Sequence, residues 1–151
     1  MRTILFVAAA LGLVAAAPPS RDQLRKVMHD RHEGMESIGK ATKAINRELR
    51  GSSPDLTIVR LSAGQIAKLS RQSSRWFPRG TGPELGKTGA KPEIWKDPKD
   101  FTAKLAAFQR SAQALNVAAA GNDVNAMKAR FADMGGTCKA CHDKFRSEMH
   151  H

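Results

Sequence analysis

An all-α, antiparallel four-helix bundle is the fold this sequence predicts. Three observations point to it. The 151 residues include no tyrosine and are rich in Ala, Lys, Arg and Leu, which favour helices. Apolar positions recur at helical steps of three and four in four successive stretches. All but one of the links between them are short, which sets neighbouring helices side by side. The length suits one domain. Apolar residues at 41% and charged residues at 26% suit a folded soluble domain rather than a disordered tail. No apolar run approaches the ~18 residues a spanning helix needs, which excludes a polytopic membrane protein.

Residues 1–17 read as a secretory signal, outside the fold. Arg2 supplies the positive start, Ile4 to Val14 the apolar stretch, and Ala15 to Ala17 the small residues for cleavage. Cleavage is expected after Ala16 or Ala17, leaving a domain over residues 18–151. The formal net charge of +11 falls by one with Arg2. An exported, oxidising compartment follows, and there two free cysteines need an explanation.

The first helix carries a seam of Leu24, Met28, Arg31, Met35, Ile38, Thr42, Ile45 and Leu49, and ends at Gly51 and Ser52. The second is expected to start with Ser53 as its cap and Pro54 in its first turn. It runs to about Arg75, with Leu61, Ile66, Leu69 and Trp76 as its apolar side. Phe77 to Lys96 is rich in Gly and Pro and reads as a long loop, of the kind that carries function or covers something. Asp97 caps the third helix ahead of Pro98, with Phe101, Leu105, Phe108, Ala112 and Leu115 on its seam. The fourth runs from Asp123 to about Met149, with Val124, Met127, Phe131, Met134, Cys138, Cys141 and Phe145 inward.

Cys138, Lys139, Ala140, Cys141 and His142 spell C-x-x-C-H, the attachment motif of c-type haem. Two thiols at this spacing add to the two vinyl groups of one macrocycle, and the following imidazole reaches the iron. On a helix the three side chains stand at i, i+3 and i+4, on one face. The competing readings are weaker. A redox pair wants a βαβ setting, which is absent. A structural zinc site wants four ligands, and three are clustered. A disulfide across so small a loop adds little stability.

These residues resemble the class II c-type cytochromes, the cytochrome c′ family and its low-spin relatives. The family pattern C-x-x-C-H-x-x-Tyr-Arg is matched by Cys138 to Arg146, with Phe145 in place of the tyrosine. Lys91-Pro-Glu-Ile-Trp95 with Asp97 and Phe101 looks like the family's lead-in to its third helix. Arg31-x-x-x-Met35-x-x-x-Gly39 looks like its distal-side segment. The resemblance covers essentially all of the chain after the signal. It implies a left-handed, up-down-up-down bundle with one covalent haem c.

The resemblance also implies which residues meet the haem. His142 supplies one axial ligand. The residue four positions after the first-helix arginine faces the distal side, and here that residue is Met35. A thioether there can close the iron as a low-spin His/Met centre with a raised potential. Ordinary core packing is the competing role for Met35. Arg31 interrupts an apolar seam, where an unpaired charge is costly. Haem propionates are its expected partners, against a snorkelling side chain whose guanidinium reaches solvent. Arg146 is implied to line the proximal side and act electrostatically on the iron.

The expected function is therefore a periplasmic monohaem c-type cytochrome, not an enzyme, carrying single electrons between partners. The alternative is a five-coordinate cytochrome c′ that binds nitric oxide or carbon monoxide at the distal face. A haem enzyme such as a peroxidase would use His32 as its distal acid–base group. The basic residues are spread over all four helices, and the export signal argues against nucleic acid. The excess charge suits an acidic redox partner, or weak adhesion to an anionic membrane surface without stable insertion. Homodimers through the first two helices are common in the family.

Overall fold

The computed structural model describes residues 17–148; the signal segment through Ala16 and the end from Met149 lie outside them. Its four long helices are α1 (Arg21–Arg50), α2 (Leu56–Gln72), α4 (Pro98–Ala120) and α5 (Val124–Phe145). A one-turn helix, α3 (Glu93–Lys96), closes the long loop that had been expected to be irregular throughout. No helix among the described residues is long and apolar enough to cross a membrane.

Local chemistry fixes each start. Ser20 and Gln23 form a reciprocal capping box at α1. The cap of α2 is Asp55 rather than the expected Ser53: its carboxylate accepts from the N–H groups of Thr57 and Ile58 at 2.8 and 3.3 Å. Pro54 therefore precedes the cap instead of occupying the first turn. Asp97 caps α4 as the sequence predicts, and Asp123, expected as the first residue of the last helix, is the cap of α5.

α1 packs along α2, α2 along α4, and α4 along α5. The circuit is not closed with equal contact, because α1 and α5 touch only sparsely. The main core joins Ile38, Ile45, Val59, Ile66, Leu115, Met127 and Met134. A smaller cluster of Ile94, Phe101 and Phe145 lies beside it, with Phe77 and Leu105 packed against both. In α1 the fully buried positions are Arg31, Gly34, Ile38, Ala41, Ile45 and Leu49. Gly34 and Ala41 thus take the place of Met35 and Thr42, because small residues let the neighbouring chain come close. Leu61, expected on the apolar side of α2, is 71% exposed. Val59 and Ala63 fill that side instead.

α5 stops at Phe145, short of the expected Met149. The chain then turns and pairs with the long loop: Lys91 N–H donates to Phe145 C=O, and Ser147 N–H to Gly89 C=O. Lys144 ties the same end to α4 by donating to both Asp97 and Asp100 at 2.7 Å. These hydrogen bonds hold both carboxyls below their ordinary 3.8. A carboxylate whose folded pKa is depressed adds stability above its ordinary value and loses it as pH falls through the folded one. Lys144→Met is therefore expected to lower the melting temperature slightly at pH 7. The gap between variant and parent should close on acidification below pH ~4. A gap that persists in acid would show that the pairing is not its source.

Candidate functional site

The C-x-x-C-H motif occupies the last two turns of α5. Cys138 packs against the main core and Cys141 against the smaller cluster, so the two thiols bridge the two apolar bodies. Both cysteines are free and half-buried. Desolvation raises both thiol pKa values, so neutral pH leaves them protonated. His142 is exposed at the surface. Enough protein still crowds its ring that desolvation, and then the charge of Arg146, lowers its pKa. The imidazole is neutral at neutral pH, which is the form that binds iron.

Arg146 is the C-cap of α5 and is exposed; its N–H donates to His142 C=O at 3.0 Å. Immediately before it, Phe145 is buried edge-on against Phe101, with centroids 5.3 Å apart. The position where the family usually carries a tyrosine thus packs on an aromatic cluster here, with the Lys144 ammonium 5.3 Å from its ring centroid.

Across the sparse α1/α5 side stands the Arg31–Met35–Gly39 segment. Met35 is half-buried and packs on the same core as Cys138. Gly39 shares the Met35 face of α1, and Gly135 shares the His142 face of α5. A Cβ on either glycine would meet nothing within 4 Å. Open space on both helices, two protonated thiols and a neutral imidazole form a donor set and a cradle that fit a covalently held haem.

Arg31 does not snorkel. It is 5% exposed, so its guanidinium does not reach solvent. Its hydrogen bonds within the chain run to Trp76 and the long loop: Trp76 C=O at 3.1 Å, Thr81 Oγ1 at 3.2 Å, Thr81 C=O at 2.9 Å and Thr88 Oγ1 at 3.0 Å. It also lies 5.1 Å from the Phe77 ring centroid. Desolvation lowers its pKa to about 10, with Glu84 opposing, and it stays cationic at neutral pH. The loop partners Thr81 and Thr88 carry no sequence signal of their own. Gly80 turns the loop through a φ of +83°, which only glycine adopts without cost.

The distal histidine candidate falls away: His32 is exposed and stands 3.5 Å from Glu36 on the outer side of α1, which removes the distal acid–base geometry a peroxidase would need. Met127 and Met134, expected inward on the last helix, are fully buried core.

A helical bundle with one haem-attachment motif at the end of its last helix defines a class II monohaem c-type cytochrome. Residues 26–146 match the cytochrome c′ family, and the chain belongs to it. It binds a single covalent haem c. Cytochrome c′ of Rhodopseudomonas palustris is 33% identical over 150 residues, covering 95% of this chain and 97% of that protein. The structure of cytochrome c prime from Shewanella frigidimarina aligns with a TM-score of 0.78 at 32% identity, covering 84% and 98% of the two chains. A nitric oxide complex of a mutant of cytochrome c prime from Alcaligenes xylosoxidans aligns at 0.75 and 28% identity, covering 83% and 97%. These likenesses do not support the low-spin His/Met branch expected from Met35. Met35 in register with Arg31 suggested that branch, and a half-buried thioether packs in a core as readily as it binds a metal.

Proposed function

We propose that this cytochrome binds nitric oxide or carbon monoxide at the distal haem face, beside Met35, in an exported compartment. The observation that carries the reading is the sparse α1/α5 side, opened by Gly39 and Gly135 opposite each other in role. The nitric oxide complex of the Alcaligenes relative supports it. Haem iron supplies a site that binds small diatomic gases and exchanges single electrons.

The chain's own residues divide the remaining work. Cys138 and Cys141 tether the group to α5. His142 offers a neutral imidazole on the proximal side, and the nearby charge of Arg146 favours that neutral form. Met35 stands as the apolar group an entering gas must pass. Arg31 holds the long loop against α1, which keeps water from the α1 side. None of these residues is set up as a general acid or base, so binding and electron carriage, not catalysis, fit the site.

The second reading is an electron carrier in which Met35 closes the iron. It is favoured by the soft thioether standing four residues from Arg31, as the family pattern requires. Absorption spectra of the purified holoprotein, oxidised and reduced, with and without carbon monoxide, separate the two. A high-spin spectrum that shifts with the gas is expected, and Met35→Ala should raise gas affinity about tenfold, equivalent to ~1.4 kcal/mol. Sharp low-spin bands that ignore the gas, and are lost in Met35→Ala, would overturn the gas-binding reading in favour of the carrier. In the family's dimer arrangement, α1 and α2 would form the contact, with the α1/α5 side left accessible.

A further inference from the structure

Charge is divided unevenly around the bundle. The ion pairs among the described residues lie on α1, on α5 and at the start of α4; none involves a residue of α2. α2 contains no acidic residue between Leu56 and Gln72. It runs antiparallel to α4: Arg60 donates to Ala119 C=O and Gly121 C=O at one end, and Gln109 donates to Ser70 C=O at the other.

The outer face of this pair follows from helical spacing. Leu61, Lys68 and the following Arg75 recur every seven residues on one side, and Arg110, Gln113 and Val117 at steps of three and four on the other. All six are exposed. Arg71 lies between the two rows and contacts Gln113. Lys68, Arg75 and Arg110 have no acidic partner among the described residues. Leu61 is 71% exposed and Val117 64%, and these are the large apolar residues most open to solvent among those described. They sit at one end of the face, on neighbouring helices.

We propose that the outer α2/α4 face docks on an anionic phospholipid bilayer. Unpaired cations over two parallel-lying helices match a sheet of phosphate headgroups. Two branched apolar side chains projecting singly among cations suit shallow insertion at the headgroup boundary. A second copy of this chain is a poor occupant, because a two-fold contact through this face sets each copy's cations against the other's. The face lies opposite the α1/α5 side. Docking through it turns Met35 and the haem-attachment helix away from the lipid, toward soluble partners and gas.

Vesicle flotation of the holoprotein tests this. Binding to phosphatidylcholine vesicles containing phosphatidylglycerol is expected, with little binding to pure phosphatidylcholine and a fall as salt rises. K68Q/R75Q/R110Q should weaken partitioning at least tenfold. K26Q/K40Q/R130Q removes as many charges from basic residues paired with Asp30, Glu36 and Asp133, and should bind like the parent. L61S/V117S should bind more weakly and lose binding at lower salt. Equal loss in the two charge variants would reduce the effect to net charge and overturn the proposal. So would L61S/V117S binding as the parent does at every salt, which would favour a purely electrostatic acidic protein as occupant. So would a dimer in solution that dissociates in K68Q/R75Q/R110Q. All substituted positions are exposed, and the haem spectrum reports that each variant is folded.

Discussion

Arg31→Leu is expected to lower the unfolding free energy by about 3 kcal/mol and to free residues 76–88 from α1. Two opposing effects set the size. Holding a guanidinium at 5% exposure costs the charged form a few kcal/mol, which is why its pKa is lowered to about 10. Leucine removes that cost, and it fills much of the same space. It also strands two acceptors: the carbonyls of Trp76 and Thr81 lose their donor together, while the Thr88 hydroxyl keeps the Ala90 N–H. Each stranded buried acceptor costs about 1–3 kcal/mol, and two of them at the upper end, with the cation–π contact to Phe77 also lost, outweigh the desolvation recovered. Arg31→Lys keeps the charge but lacks the planar fork that reaches acceptors on both sides, so it should recover only part of the loss. Denaturant unfolding gives the magnitude. Amide exchange gives the place, with faster exchange expected in residues 76–88 than in α2 or α4. A loss under 1 kcal/mol with parental exchange in that loop would show that Arg31 is not its anchor.

Arg31 also marks the boundary of what the sequence could disclose. Its place on the seam said that a charge was buried; what it binds lies 45 to 57 residues away. Carbonyls of an irregular loop have no pattern to read. The haem motif was legible for the opposite reason, since its three groups fall within five residues and helical spacing alone puts them on one face. Helix boundaries followed wherever one capping residue stood alone, as at Asp97 and Asp123. They slipped at Ser53 and Asp55, where two candidates competed and the carboxylate, which accepts from two N–H groups, prevailed. Leu61 was misplaced because periodicity cannot tell which of two adjoining faces meets the core. Met35 marks another limit, because one residue type narrows a coordination state without deciding it.

Gly34→Val is expected to cost about 3 kcal/mol, the upper end of ordinary overpacking. A Cβ at Gly34 would overlap Cη2 and Cζ2 of the Trp76 ring, and valine adds two further carbons there. The few tenths of a kcal/mol that valine gains over glycine in helix propensity cannot offset this. The ring has no easy retreat. Trp76 is 7% exposed, its N–H donates to Ser73 C=O, and its own C=O is held by Arg31. Gly136 supplies the contrast: it is exposed on α5 and a Cβ there meets nothing, so Gly136→Ala should stabilise by ~0.8 kcal/mol. If the Arg31 bond is what pins Trp76, the two substitutions cannot be independent. Arg31→Leu with Gly34→Val should then lose less than the sum of the single losses, by about 1 kcal/mol, because a released Trp76 can yield to the new side chain. Strict additivity in that cycle would mean the ring is fixed by the core alone, and that α1 touches the loop at two unrelated points rather than through one clamp.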